Sequence, residues 1–425
     1  MIWAMIALFF VLMGAGVPIA FSMGSSALAY ILIQGIPLSM VAQRFFSNTQ
    51  SFAFLAVPFF ILAGSLMVHA GIAQRIIRFA DSLVRWLPGG LGCVSVLTNM
   101  VMAGVSGSSV ADCAAVGSVI IPEMKRSGYH ASFAAALNAS ASVVGIIIPP
   151  SSTMIIIAWL TNLSVGKMFL AGAIPGILIC TAYFIVTIVI SLRRDYPRGS
   201  MPTLREIAAS AASAVWALLL PIFLIGSIVL GIATATEAAS VCAVFSFVVG
   251  SMIYRSLGFK GLVAALKESA YSTSVVMMIV CSATIFTWIL IQEGIPTLIA
   301  SAILGLGLSG AALKLLLVGV LLVAGMVMDL VPNLFIFIPI FYPIAQDLGF
   351  DMIHFSIVFL CTLALGLFTP PVGSTLFLSC LLADVKVEEA SRDLIPFFVA
   401  GVAVVILVLF VPELSLWLPN LLFTK

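Results

Sequence analysis

The chain has 425 residues, of which 63% are hydrophobic and only 8% charged, with a net charge of +2. A soluble domain carries about 25% charged residues, so a soluble fold is excluded, and the scattered basic residues interleave with no aromatic platform for nucleic acid. Apolar runs such as 214–232 and 397–411 approach or exceed the length that crosses roughly 30 Å of hydrocarbon as a helix. The runs are continuous rather than alternating, so helices are expected and a barrel is not.

The first apolar stretch, Met1 to Leu12, lacks the basic flank and small-residue cleavage site of a signal peptide and reads as the first span. Hydropathy and Gly/Pro punctuation predict helices over 2–16, 18–34 and 51–69. An amphipathic segment follows over 72–86, in which Arg75, Arg78 and Arg85 alternate with Ile76, Ile77, Phe79 and Leu83. That pattern suits a helix lying in the membrane interface. The next stretch, 91–124, is apolar but is cut by Gly104-Val105-Ser106-Gly107-Ser108-Ser109. Each arm is short for a full span, which points to a re-entrant hairpin. A helix from about 130 is interrupted at Gly145-Ile146-Ile147-Ile148-Pro149-Pro150, resumes to about 162, and gives way to a span over 167–192.

A connector over 193–212 is expected on the cytoplasmic side, after which the plan repeats over 213–425. A shift of 221 residues superposes Gly104 on Gly325, Pro122 on Pro343, Gly128 on Gly349, Gly145 on Gly366, Pro149-Pro150 on Pro370-Pro371 and Ile174-Pro175 on Ile395-Pro396. Such matches at helix-punctuating residues mark an internal repeat. They predict a second hairpin over 311–346, cut near Asp329, and a second broken helix over 352–382. With the hairpin counted as no crossing, each half has five spans, and an odd number makes the halves face opposite ways. The expected fold is therefore an all-α polytopic membrane protein of two inverted five-span repeats, each with a re-entrant helical hairpin and a broken helix. An N-terminus outside places 14 of the 18 Lys and Arg residues inside and leaves Arg44, Lys167, Lys314 and Lys425 outside, in agreement with the positive-inside rule.

Broken backbone survives in hydrocarbon only where a cavity or a bound ion satisfies it, so the four breaks mark the expected site. Carbonyls at half-helix C-termini suit Na⁺, and free N–H groups at half-helix N-termini suit a carboxylate. Hydroxyls of Ser106, Ser108, Ser109, Ser151, Ser152, Thr369 and Ser374 add hard oxygen donors of the kind an alkali cation prefers. Asp112, Glu237 and Asp329 are acids in apolar surroundings. Asp329 falls inside a break and is the candidate for substrate, with helix capping as its structural alternative. Asp112 is expected to cap or orient the first break, and Glu237 to start a helix. His69, His130 and His354 fall at span ends, and the seven cysteines are scattered singly as packing residues.

Two other readings use the same residues. Gly104-Val105-Ser106-Gly107 matches the G-x-S-G pattern of rhomboid intramembrane serine proteases, which need a histidine on another span. Paired re-entrant loops also build passive channels.

Over essentially its whole length the chain resembles the large membrane subunit of tripartite ATP-independent periplasmic (TRAP) transporters. The resemblance is carried by Gly104 to Ser109 with Ala111-Asp112, by Ile120-Ile121-Pro122-Glu123-Met124, by Ile148-Pro149-Pro150-Ser151, by Gly325 to Asp329, and by Gly366 to Gly373. It implies a non-enzymatic, elevator-type, sodium-driven uptake system of the bacterial inner membrane. The implied partners are a small four-helix (Q-type) membrane subunit and a periplasmic (P-type) substrate-binding protein. One implied Na⁺ site uses Ser106, Ser108, Gly145, Ile148 and Pro150; the second uses Gly325, Gly366, Thr369 and Pro371. Asp329, Ser151 and Ser152 are the implied substrate residues, with no transition metal and no organic cofactor. The family's substrates are small carboxylates, and a site with hydroxyls and an acid but no basic residue favours a sialic acid over a C4-dicarboxylate. The family usually has Thr-Pro-Thr-Glu where this chain has Thr234-Ala235-Thr236-Glu237, a departure expected to alter the geometry of one scaffold helix.

Overall fold

A computed structural model describes residues 1–49 and 51–423, so Lys425, assigned above to the outer side, lies outside the described residues. Among those residues the regular structure is entirely helical. The first repeat contains α1 (Ile2–Gly14), α2 (Ile19–Ile33), α3 (Leu38–Thr49), α4 (Ala56–His69), α5 (Ile72–Val84), α6 (Gly90–Ser106), α7 (Ser109–Arg126), α8 (Ala131–Ser142), α9 (Ser152–Thr161) and α10 (Val165–Arg193). The second contains α11 (Leu204–Val229), α12 (Ala235–Val248), α13 (Phe259–Gln292), α14 (Ile295–Leu304), α15 (Gly310–Val327), α16 (Leu330–Asp347), α17 (Met352–Gly366), α18 (Ser374–Ala383), α19 (Val387–Phe410) and α20 (Glu413–Phe423).

The repeat holds to the residue where it matters most. For α7 and α16 the start positions (330 less 109) and the end positions (347 less 126) both differ by 221. The Pro149–Pro150 and Pro370–Pro371 peptide bonds, which share that spacing, are both cis. Gly128 and Gly349 both adopt positive φ, at 88° and 71°, where the second arm of each hairpin ends. The repeats diverge outside the breaks. The single 34-residue helix α13 corresponds to α3 and α4 together, a pair separated by a short 3₁₀ turn at Phe52–Leu55.

Among the described residues seven helices are long and apolar enough to cross a membrane, and the α4–α5 pair, bent by 70°, supplies an eighth candidate. Both arms of the second hairpin, 18 residues each, are among the seven, so length alone does not separate a re-entrant arm from a span. The bend follows from Gly71, whose φ of 68° caps α5 at its N-terminus. It turns the amphipathic helix away from the axis of α4. The connector is shorter than the sequence suggests. Helix α11 starts at Leu204 because Thr203 and Glu206 form a reciprocal capping box below the apolar run. Thr234 and Glu237 form a second one, with Thr234 N donating to Glu237 Oε2 at 2.8 Å. Glu237 is thus the helix-start residue expected, and the missing proline at 235 leaves the cap complete.

The two repeats lock together through their breaks. Helix α18 of the second repeat packs on α7 and α8 of the first. Buried Asn138 donates to Cys113 O at 3.1 Å and to Ser379 Oγ at 3.0 Å, and Thr375 Oγ1 donates to Ala139 O at 3.3 Å. Lys125 Nζ closes the last turn of α18 by donating to Ala383 O at 2.7 Å. All seven cysteines are buried and unpaired, as expected of packing residues. Within the second repeat one approach is backbone on backbone, because a Cβ at Gly366 would overlap the main chain of Gly325. Gly366→Ala should therefore lower the melting temperature of the purified protein, by the equivalent of about 1–3 kcal/mol or more. Gly319→Ala, on α15 with open space around it, should leave it unchanged or raise it slightly by helix propensity.

Candidate functional site

Both hairpin tips reach one cavity of about 200 Å³. Ser106 to Ala111 come from the first tip, Asp329 to Val331 from the second, and Ile146, Ser152, Thr153 and Leu367 from the two broken helices. The opposite wall is made by Ile61, Gly64, Ser65 and Val68 on α4 and by Glu268, Ser272 and Val276 on α13. Residues more than 200 positions apart in sequence thus share one space.

At the first tip Gly107, with φ of 61°, ends α6, and Ser108 caps α7 by accepting from Ala111 N at 3.4 Å. Ser106 Oγ donates to Asp112 Oδ1 at 2.5 Å. Asp112 is fully buried, and among the described residues its Oδ2 has no hydrogen-bond partner. That oxygen lies 2.5 Å from where a Cβ at Gly145 would stand, so a side chain there would displace the Asp112 carboxylate. A protease would need an imidazole to accept from Ser106, whereas this hydroxyl donates to a carboxylate.

The first break offers oxygens that the protein leaves unused. Among the described residues no donor reaches the carbonyls of Ile148 or Pro150, while Ile146 O is taken by Ser151 Oγ at 2.7 Å. Buried carbonyls without donors are rare, and together with Asp112 Oδ2 they form the hard-oxygen set an alkali cation takes. The second break is paired at several positions. Thr369 N and Oγ1 donate to Gly366 O at 3.0 Å and Leu365 O at 2.6 Å, Val372 N donates to Met326 O at 3.0 Å, and Thr375 N donates to Leu367 O at 3.0 Å. The lone pairs left on Thr369 Oγ1 and the exposed turn at Pro371 remain open there.

The three substrate candidates separate. Asp329 stands at the N-cap of α16 but makes no side-chain cap bond, and it is exposed to the cavity. Ser152 lines the cavity and donates to Gly107 O at 3.2 Å, tying the first broken helix to the first tip. Ser151, by contrast, is fully buried outside the cavity lining. Its hydroxyl donates to Ile146 O and accepts from Met154 N, so it is a helix cap. Sequence reasoning missed Glu268. It sits at the cavity wall within 3.2 Å of Ser65 Oγ and 3.5 Å of His69 Nδ1, and only the register of α13 against α4 brings it there. The break at Gly366 and the break at Gly145 each meet their own hairpin, as the repeat requires.

The chain matches the family described as "Tripartite ATP-independent periplasmic transporter, DctM component" over residues 6–414. It belongs to this family. A C4-dicarboxylate TRAP transporter large permease protein of Pseudomonas aeruginosa is 39% identical, covering 93% of each chain. A sialic acid TRAP transporter large permease of Vibrio cholerae is 35% identical over 96% of each. A 2,3-diketo-L-gulonate TRAP transporter large permease of Escherichia coli is also 35% identical, over 94% of each. The fold is also similar to that of the Alcanivorax borkumensis YdaH transporter, with a TM-score of 0.63, 15% identity and 88% of each chain covered. The DctM-family protein is thus a multi-pass membrane transporter component and not an enzyme, and its relatives of near-equal identity carry names of chemically different carboxylates.

The geometry divides two neighbouring serines by role. Ser151→Ala in this DctM-family protein should cost about 1 kcal/mol of stability through the lost cap and spare substrate affinity. Asp329→Asn should leave the melting temperature unchanged and reduce uptake by about tenfold or more, consistent with losing a charge-assisted contact; parallel melting and uptake assays check both.

Proposed function

We propose that this large permease drives uptake of a hydroxyl-rich monocarboxylate, with a sialic acid such as N-acetylneuraminate as the best candidate, by symport with Na⁺. The observation that carries this reading is the cavity lining. Its charged side chains are the acids Asp329 and Glu268, with no Lys or Arg, and its remaining polar side chains are seven hydroxyls. The N-terminal ends of α7 and α9 open onto the same space through Ser109 and Ser152. Helix N-termini hold one carboxylate without any basic side chain, whereas a second carboxylate would face two acids with no counter-charge. Hydroxyls of the substrate would donate to Asp329 and Glu268.

The unused oxygens at the first break support Na⁺ as the coupled ion, held by Ser106, Ser108, Gly145, Ile148 and Pro150, with a second ion at Gly325, Gly366, Thr369 and Pro371. The cavity lies between the tips and the α4–α13 wall, which suits an elevator in which hairpins and broken helices move as a block against that wall. In this reading the N-terminus is periplasmic, the membrane is the bacterial inner membrane, a small membrane subunit completes the scaffold, and a periplasmic binding protein delivers the substrate.

Proteoliposomes containing the permease, its small membrane subunit and binding protein test this directly. Uptake of labelled N-acetylneuraminate should require an inward Na⁺ gradient and resist competition by excess succinate. Uptake that is equal in choline overturns the symport, and full competition by succinate favours the C4-dicarboxylate reading suggested by the 39% identical relative.

A further inference from the structure

The two breaks are equivalent by repeat but not by charge. Asp112 and Asn333 occupy the same repeat position, since 333 less 112 is 221, and both are fully buried. Each has one side-chain oxygen, Asp112 Oδ2 and Asn333 Oδ1, that finds no hydrogen-bond partner among the described residues. The other atom of each group does the same structural job in a different way. Asp112 Oδ1 accepts from Ser106 Oγ of the first tip, while Asn333 Nδ2 donates to Met328 O at 2.9 Å and Asp329 O at 3.0 Å of the second. Holding the tip therefore accounts for one atom and leaves the orphan oxygen in both repeats.

A second exchange accompanies the first. Ser108 and Asp329 also share a repeat position, 329 less 108 being 221. Each tip thus carries one acid, at different registers. The acid of the first tip is buried against Gly145, and that of the second is exposed to the cavity. Among the described residues no Lys, Arg or His pairs with Asp112. A buried carboxylate without a counter-ion is strongly disfavoured, and a cation arriving from solution supplies the missing charge.

We infer that Asp112 Oδ2 and Asn333 Oδ1 are side-chain ligands of the two cation sites, one charged and one neutral. This makes the first site the tighter of an unequal pair. The first repeat has placed its acid on the ion, the second has placed its acid on the substrate, and the second ion is held by dipoles alone. The inference rests on the sodium reading above and deepens it, because it assigns ligands and a rank to sites that symmetry would make alike.

The full-length protein in detergent tests it through thermal melting over a NaCl series, with choline chloride holding ionic strength constant. A ligand that binds only the folded state stabilises it in proportion to the logarithm of its concentration once above its dissociation constant, so the limiting slope counts ions. Wild type should show two ions. Asp112→Asn should melt higher than wild type without Na⁺, having lost an uncompensated charge, and should require about tenfold more Na⁺ for the same upward shift. Asn333→Asp leaves Asp112 in place and should lower the Na⁺ midpoint of the weaker class by a similar factor, which decides the question even where Asp112→Asn does not fold. An Na⁺ response identical to wild type in either variant overturns the inference while leaving the sodium reading intact. A wild type that responds equally to Na⁺ and choline overturns the sodium reading and this inference with it.

Discussion

Backbone that is left unpaired inside hydrocarbon is disfavoured by several kcal/mol per group, and the rest of this protein is arranged around four places where the chain accepts that penalty. Most of the freed groups are recovered locally. Ser108 and Ser151 cap α7 and α9, Asn333 gathers the carbonyls of the second tip, and Val372 N returns to Met326 O. Among the described residues, the oxygens that escape this internal pairing include Ile148 O, Pro150 O and Asp112 Oδ2 at the first break and Asn333 Oδ1 at the second. The candidate ion site is thus defined by what remains after capping, which is a narrower set than the list of polar residues near a break.

Much of the architecture is legible in the sequence because it is written in residues that act through the backbone. Gly104, Gly145, Pro149-Pro150 and their partners 221 residues later fix where helices stop, and a stop needs no tertiary partner to be recognised. The hairpin predicted over 311–346 is found at Gly310–Val327 and Leu330–Asp347, and the broken helix predicted over 352–382 ends at Ala383. The connector was the weaker prediction, because a capping box at Thr203 and Glu206 extends α11 into polar sequence that hydropathy assigns to a loop.

Side-chain roles were less legible for a physical reason. Ser151 and Ser152 are chemically identical neighbours, but Ser151 is the extended N-cap of α9 and Ser152 its first helical residue. One turns into the protein to cap and the other into the cavity. Glu268 carries no local mark of function at all; its position depends on how α13 lies against α4, through Ser65 and His69. Asp329 shows the opposite case. Its place just before a helix suggests a cap, yet the cap bond is absent, and the side chain is left for the cavity.

The same arrangement explains why the family can be recognised while its members differ in cargo. The breaks are backbone features and tolerate little change, as the contact between Gly325 and Gly366 shows. The cavity wall is built from side chains of α4 and α13, which can vary without disturbing the breaks. In the reading proposed above, a block that binds an ion at its tips and a substrate between those tips and a wall carries its ion chemistry in the breaks, while the facing helices contribute Ser65 and Glu268 to the substrate space. On that reading, a change of side chain at Glu268 or Ser65, on the wall side, alters the substrate space without touching the backbone of the breaks.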